Sequence, residues 1–284
     1  MLSAYGFPFL LAALVSYILT PYIKTLAFKI GAIDKPDNRK VHKKIMPRLG
    51  GLAIYIAFMI AAVASLELTK DIVGILLGGS VIAIVGLLDD KYQLPAKVKL
   101  LGQIFAACVL VAFDIRIEWL NNPFGGYFYL NEWFISIPLT IFWVISFTNV
   151  VNLIDGLDGL AAGVSAIASM TVILVAVQMG YYHIAVMTAA LAGGIIGFIR
   201  YNFNPATIFM GDTGSMFIGY MLAAISVYGA VKTAATVALI VPAIALGLPI
   251  MDTAFAIMRR YSNGRPIFQP DKGHLHHRLL AMGM

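Results

Sequence analysis

Long apolar runs separated by short polar turns make up nearly the whole chain. Nine runs of spanning or near-spanning length occupy roughly 4–28, 49–67, 71–88, 98–113, 133–151, 159–179, 181–199, 213–231 and 234–258. A bilayer core about 30 Å thick needs about 20 apolar helical residues. The pattern therefore predicts an all-α polytopic membrane protein of about nine transmembrane helices. One interval breaks the rule. Between Asp114 and Glu132, the run Asn121-Asn122-Pro123-Phe124-Gly125-Gly126 and the alternating Tyr127, Phe128 and Tyr129 predict a small hairpin.

Polar groups are densest from Asn149 to Gly163, at the join of two apolar runs, where Asn149, Asn152, Asp155 and Asp158 recur every third position. On an ideal α-helix each step of three falls about 60° short of a full turn, so 149 and 158 would face opposite ways. The glycines at 156 and 159 predict instead that the helix breaks near Asp155–Gly156 and that both halves point polar groups into one cavity.

Composition agrees with a membrane chain. Of 284 residues only 12% are charged, against about 25% in soluble domains. The single cysteine, Cys108, excludes an internal disulfide. The first apolar run has no basic residue before it and is long enough to span, unlike a cleavable signal peptide. Charge then orients the chain. When successive turns are assigned to alternate sides, one set, from Lys24–Arg48 to Arg259–Met284, holds 17 of the 20 lysines and arginines. The positive-inside rule places that set in the cytoplasm and the N-terminus outside. Every unusual polar cluster then falls on the cytoplasmic face. The net charge of +6 mainly reflects those loops. It fits anionic headgroups or an anionic substrate; no nucleic-acid motif and no repeat is present.

Four further clusters carry chemistry. Arg39, Lys40, His42 and Arg48 precede Gly50-Gly51 at the start of the second run, either as a plain basic loop or as a phosphate-facing one. Asp89-Asp90 close the third run, where adjacent carboxylates oppose the helix dipole and repel each other. Either nearby lysines (Lys91, Lys97, Lys99) compensate them, or a divalent metal or positive reaction centre does. Phe209-Met210-Gly211-Asp212-Thr213-Gly214-Ser215 opens the eighth run; Asp212 there is an N-cap or a ligand, and Phe209 is core or a stacking platform. Beyond Asp252 and Arg259-Arg260 come His274, His276 and His277. Without a supporting cysteine, and with acids dominating the other loops, a hard oxygen-liganded metal is the better expectation than zinc. Carboxylates that bind Mg²⁺ and cations that bind phosphate are the equipment of phosphoryl transfer. A membrane setting implies a lipid substrate.

These strings, Arg39-Lys40-Val41-His42 with Pro47-Arg48-Leu49-Gly50-Gly51, Asp89-Asp90, 149–160, 209–215 and His274-Leu275-His276-His277, together resemble the polyprenyl-phosphate N-acetylhexosamine-1-phosphate transferase family. They run in order over nearly the whole chain. The wording is most similar to bacterial enzymes that prime teichoic acid or other surface polysaccharides. The resemblance implies transfer of GlcNAc-1-phosphate from UDP-GlcNAc to undecaprenyl phosphate in the bacterial inner membrane, giving UMP and the lipid diphosphate sugar. It further implies Mg²⁺, with Mn²⁺ as an alternative, and allows a homodimer. By motif, Asp212 and Asn152 would hold the metal. Phe209 would stack on uracil, and Asn149 would join the substrate floor. Asp155 or Asp158 would lie near the uridine. Lys99, Arg260, His274, His276 and His277 would meet phosphates and sugar, while Asp89 and Asp90 face the lipid phosphate. Residues 1–284 would form one transferase domain that stops one or two spans short of the family's C-terminus.

A phosphate monoester has a second pKa near about 6 and aspartate one near about 3.9. Deprotonation of the lipid phosphate by an ordinary Asp89 would thus cost about 3 kcal/mol. In-line attack by an already ionised lipid phosphate is the expectation that follows. Two alternatives stand beside this reading: transfer of phospho-MurNAc-pentapeptide, and a cation transporter whose acids would mark an ion path.

Overall fold

The computed structural model describes residues 2–36, 44–121, 126–130, 132–233 and isolated positions between 240 and 251. The described residues contain eight helices: α1 (Leu2–Ile30), α2 (Gly51–Ser65), α3 (Lys70–Tyr92), α4 (Ala96–Ala112), α5 (Trp133–Ile154), α6 (Leu160–Gln178), α7 (Tyr182–Asn202) and α8 (Gly211–Thr233). Two short ladders accompany them, β1 (Ile33–Asp34) with β2 (Met46–Pro47) and β3 (Trp119–Asn121) with β4 (Tyr127–Tyr129). Each of the first eight expected spans is a helix, with ends shifted by a few residues. The ninth, 234–258, lies almost wholly outside the described residues, as do Asp252, Arg260, His274, His276 and His277.

Six helices, α1, α3, α5, α6, α7 and α8, are long and apolar enough to cross a membrane; α2 and α4, at 15 and 17 residues, are shorter. The chain is a multi-pass helical membrane protein. In hydrocarbon a helix satisfies its backbone through its own hydrogen-bond ladder, and side chains such as Leu10, Leu14, Ile167 and Leu174 stand exposed on α1 and α6, as a lipid-facing surface would have them.

Helix α8 has the opposite environment. It packs against α3, α5 and α2, while α1 lies on α7 and α2. From Gly211 to Ala230 every residue except Asp212 is buried. Small residues make such packing possible. A Cβ on Gly51 would sit 1.9 Å from the Gly214 nitrogen, so α2 and α8 touch backbone to backbone. Gly51→Ala should therefore force these helix starts apart; the expected result is a lower melting temperature and loss of a monodisperse peak in detergent size-exclusion chromatography. A variant that melts with wild type would show that the contact yields without consequence.

The alternating helices sort the loops to two ends. At one end Lys70 pairs with Asp114 and Arg116 with Glu118, the latter at 3.0 Å. There the β3–β4 hairpin forms as expected, with Trp119 opposite Tyr129. It is tied down by the Trp119 indole N–H donating to the Ala230 carbonyl at 3.2 Å. The other end gathers the C-termini of α3 and α5 with the N-termini of α2, α4, α6 and α8. Here β2 is a central thread: Pro47 lies opposite Ile33, and its carbonyl accepts from Phe209 N–H at 2.8 Å. Gly50 and Gly51 N–H groups then donate to the carbonyls of Phe209 and Met210 at 2.9 and 2.7 Å.

Candidate active site

The thread from Pro47 to Gly51 fixes where Arg48 projects. Its Nε donates to Asp90 Oδ1 at 3.2 Å, and its Nη2 donates to Asp212 Oδ1 at 3.2 Å and lies 3.9 Å from Asp89 Oδ2. Lys99, in the first turn of α4, places Nζ 2.8 Å from Asp212 Oδ2 and 3.5 Å from Asp89 Oδ2. Three carboxylates from α3 and α8 thus converge around two cations, and one oxygen from each of Asp89, Asp90 and Asp212 lies within 4.8 Å of the others.

The adjacent aspartates of α3 have different partners. Asp90 is buried, and its Oδ1 accepts from Asp212 N–H at 2.8 Å. Its Oδ2 accepts from Thr213 N–H at 3.0 Å and from the Thr213 hydroxyl at 2.6 Å. It therefore satisfies the free N–H groups that open α8, where an anion also suits the helix dipole. Gly211 makes that approach possible: its φ is +72°, and a Cβ there would lie 2.6 Å from both Asp90 oxygens. Asp89 accepts from Leu94 N–H at 2.8 Å through Oδ1 and turns Oδ2 toward Lys99.

The helix break between α5 and α6 falls at the expected place. Helix α5 ends at Ile154, Asp155 is its C-cap, and α6 starts after Gly159 at φ +73°. The four polar residues of this stretch then part company. Asn149 exchanges amide hydrogen bonds with Gln103 of α4, at 2.7 and 3.3 Å. Asn152 Nδ2 donates to Ser215 Oγ of α8 at 2.9 Å. Asp155 is partly exposed yet deep among protein atoms. That burial, with Asp212 and Asp90 close by, pushes its carboxyl up to about 8. Asp158 Oδ2 accepts from Ala206 N–H at 2.9 Å, tying the break to the loop that leads to Phe209. Phe209 is half-buried, its backbone held by Pro47 and Gly50.

Arg48 is the site member whose position the sequence does not reveal. It reads as one more basic-loop residue facing phosphate, whereas its guanidinium turns inward onto carboxylates. Burial alone would work against its charge, but Asp90, Asp212, Asp34 and Asp89 outweigh it and raise the pKa above the usual guanidinium value. The available signal is a balance: acids packed at a membrane helix end require cations nearby. Asn202 is a second unexpected contributor, accepting from Gly159 N–H at 3.2 Å and donating to the Ile208 carbonyl at 3.1 Å. It closes the same two loops that Asp158 joins.

The donor set is oxygen throughout: among the described residues the cluster has no cysteine or histidine. The three carboxylates exceed the charge of Arg48 and Lys99, so the cluster fits a hard divalent cation.

The profile of glycosyl transferase family 4 matches residues 72–230, which include the clustered aspartates, Lys99 and the 149–163 stretch. A relative from Bacillus subtilis (strain 168), named "Probable undecaprenyl-phosphate N-acetylglucosaminyl 1-phosphate transferase", is 45% identical over 97% of this chain and 77% of its own length. The decaprenyl-phosphate N-acetylglucosaminephosphotransferase of Mycolicibacterium smegmatis is 38% identical over 96% of this chain and 75% of its own. A phospho-N-acetylmuramoyl-pentapeptide-transferase of Bacillus subtilis (strain 168) is similar at 30% identity, over 96% of this chain and 87% of its own length. Profile and relatives agree with the motifs, and the chain belongs to glycosyl transferase family 4.

Proposed function

We propose that this chain transfers GlcNAc-1-phosphate from UDP-GlcNAc to undecaprenyl phosphate in the bacterial inner membrane, as the first membrane step of a surface polymer. The observation that carries this reading is the convergence of Asp89, Asp90 and Asp212, with Lys99 and Arg48, at one end of a membrane helix bundle. The N-terminus lies outside, and this end faces the cytoplasm, where the nucleotide-sugar is made and where the basic loops belong.

An oxygen of the ionised lipid phosphate attacks the β-phosphorus of UDP-GlcNAc; the bond to the α-phosphate breaks, and UMP leaves. Asp212, with Asn152 beside it, would hold Mg²⁺, which supplies charge neutralisation on the diphosphate. Asp89 borders the nucleophile's path, and Asp90 positions the start of α8 rather than meeting substrate. Phe209 stacks on the uracil; Asp155 and Asp158 lie on the uridine side, and Asn149 braces that floor. Lys99, Arg260, His274, His276 and His277 meet phosphates and sugar.

The test is an assay of purified protein with radiolabelled UDP-GlcNAc, undecaprenyl phosphate and Mg²⁺. Lipid-linked label should form, vanish with EDTA and return with added Mg²⁺. UMP should be released only when the lipid phosphate is present. Product from UDP-MurNAc-pentapeptide instead would reassign the sugar donor; no product with any nucleotide-sugar would sink the enzyme reading.

A further inference from the structure

Each oxygen of Asp212 is engaged by a different cation, Oδ1 by Arg48 at 3.2 Å and Oδ2 by Lys99 at 2.8 Å. A divalent ion that takes Asp212 as a ligand must share or displace one of them. The two are not equally able to yield. Arg48 also holds Asp90 through Nε, and the Asp90 side chain has no exposure at all, so withdrawal would strand a buried charge. The Arg48 backbone is fixed as well, its N–H donating to the Ala32 carbonyl at 3.1 Å. Among the described residues Lys99 has no comparable tie: its ammonium rests there on Asp212 and Asp89, its side chain is 26% exposed, and four flexible carbons carry it. An ammonium is also easily rehydrated or passed to another anion.

We infer that Lys99 is an exchangeable counter-cation of Asp212: the divalent ion and the ammonium compete for this carboxylate, and ion binding hands Lys99 to the substrate's phosphates. The inference rests on the function proposed above. Its consequence is reciprocal coupling, since a ligand that draws Lys99 away must raise metal affinity by the same factor that metal raises its own. The early turn of α4 becomes a relay between ion and nucleotide rather than a fixed phosphate contact.

Mn²⁺ titration followed by electron paramagnetic resonance, on the full chain in nanodiscs, tests this directly. Lys99→Met keeps the stem and removes the charge. Without nucleotide it should bind Mn²⁺ about threefold tighter than wild type, or more, because a competing unit charge a few ångströms away is gone. Lys99→Gln should behave alike, and Lys99→Arg should restore the weaker wild-type affinity. UDP-GlcNAc should tighten Mn²⁺ binding in wild type and do so less in Lys99→Met. Equal or weaker Mn²⁺ binding by Lys99→Met and Lys99→Gln, at unchanged melting temperatures, would overturn the exchange. Absence of Mn²⁺ binding in wild type would overturn it together with the metal assignment. The nucleotide-free titration does not depend on which nucleotide-sugar is the substrate, so the exchange and the substrate assignment fail separately.

Discussion

Asp212→Asn should leave a protein that packs normally and turns over about a thousandfold more slowly, the scale expected when a preorganised charge is removed from a reaction centre. The asparagine has the same size, and the backbone N–H of residue 212 still reaches Asp90 Oδ1. What disappears is the anion on which Arg48 and Lys99 converge and which a hard cation requires. Asp212 is also the partly exposed position at the mouth of the otherwise buried stretch Gly211–Ala230, where a polar substitution meets water rather than lipid. Initial rates of lipid-linked product, beside a thermal melt in detergent, separate the two effects. A variant within tenfold of wild type would remove Asp212 from the chemistry.

The second large effect falls on stability. Asp90→Ala deletes the acceptor of two backbone N–H groups and the Thr213 hydroxyl, and it strips Arg48 of a buried partner. Breaking a buried, hydrogen-bonded charge pair from one side costs about 3–5 kcal/mol. Asp90→Ala should therefore lower the melting temperature sharply and reduce the folded yield. Its neighbour sets the contrast. Asp89→Asn retains an Oδ1 acceptor for Leu94 N–H, so its melting temperature should stay near wild type while the rate falls. Equal stability of the two variants would show that the adjacent acids share one role.

Periodicity carried the fold because a bilayer leaves few choices: eight apolar runs became eight helices, and the alternating Tyr127, Phe128 and Tyr129 became a strand paired with Trp119–Asn121. The glycines marked the break after Asp155 for the same reason, since Gly159 sits at a positive φ. The motifs named the three clustered aspartates and Lys99 yet left their partners hidden. Asp89 and Asp90 read as a matched pair, and only their positions on α3 show that Asp90 turns toward the α8 N-terminus while Asp89 turns toward Lys99. Asn149 and Asn152 likewise look equivalent in sequence, but α5 points one at Gln103 and the other at Ser215. Such pairings depend on interhelical rotation, which a one-dimensional pattern of apolar positions does not encode. Arg48 was the hardest to read, because a cation in a basic loop looks the same whether it faces water or a buried carboxylate.

The tether between Asp90 and the start of α8 spans 122 residues. A ribosome delivers α3 to the membrane long before α8 exists, so during that interval two aspartates at a helix end lack the amides and the threonine that will receive them. Such carboxylates are costly within hydrocarbon, which favours α3 waiting at the interface or sheltered by the insertion machinery. Arrival of α8 then settles the helix bundle and assembles the carboxylate cluster in the same event. A chain in which α8 has not yet inserted, or has inserted wrongly, therefore lacks the three-carboxylate cluster.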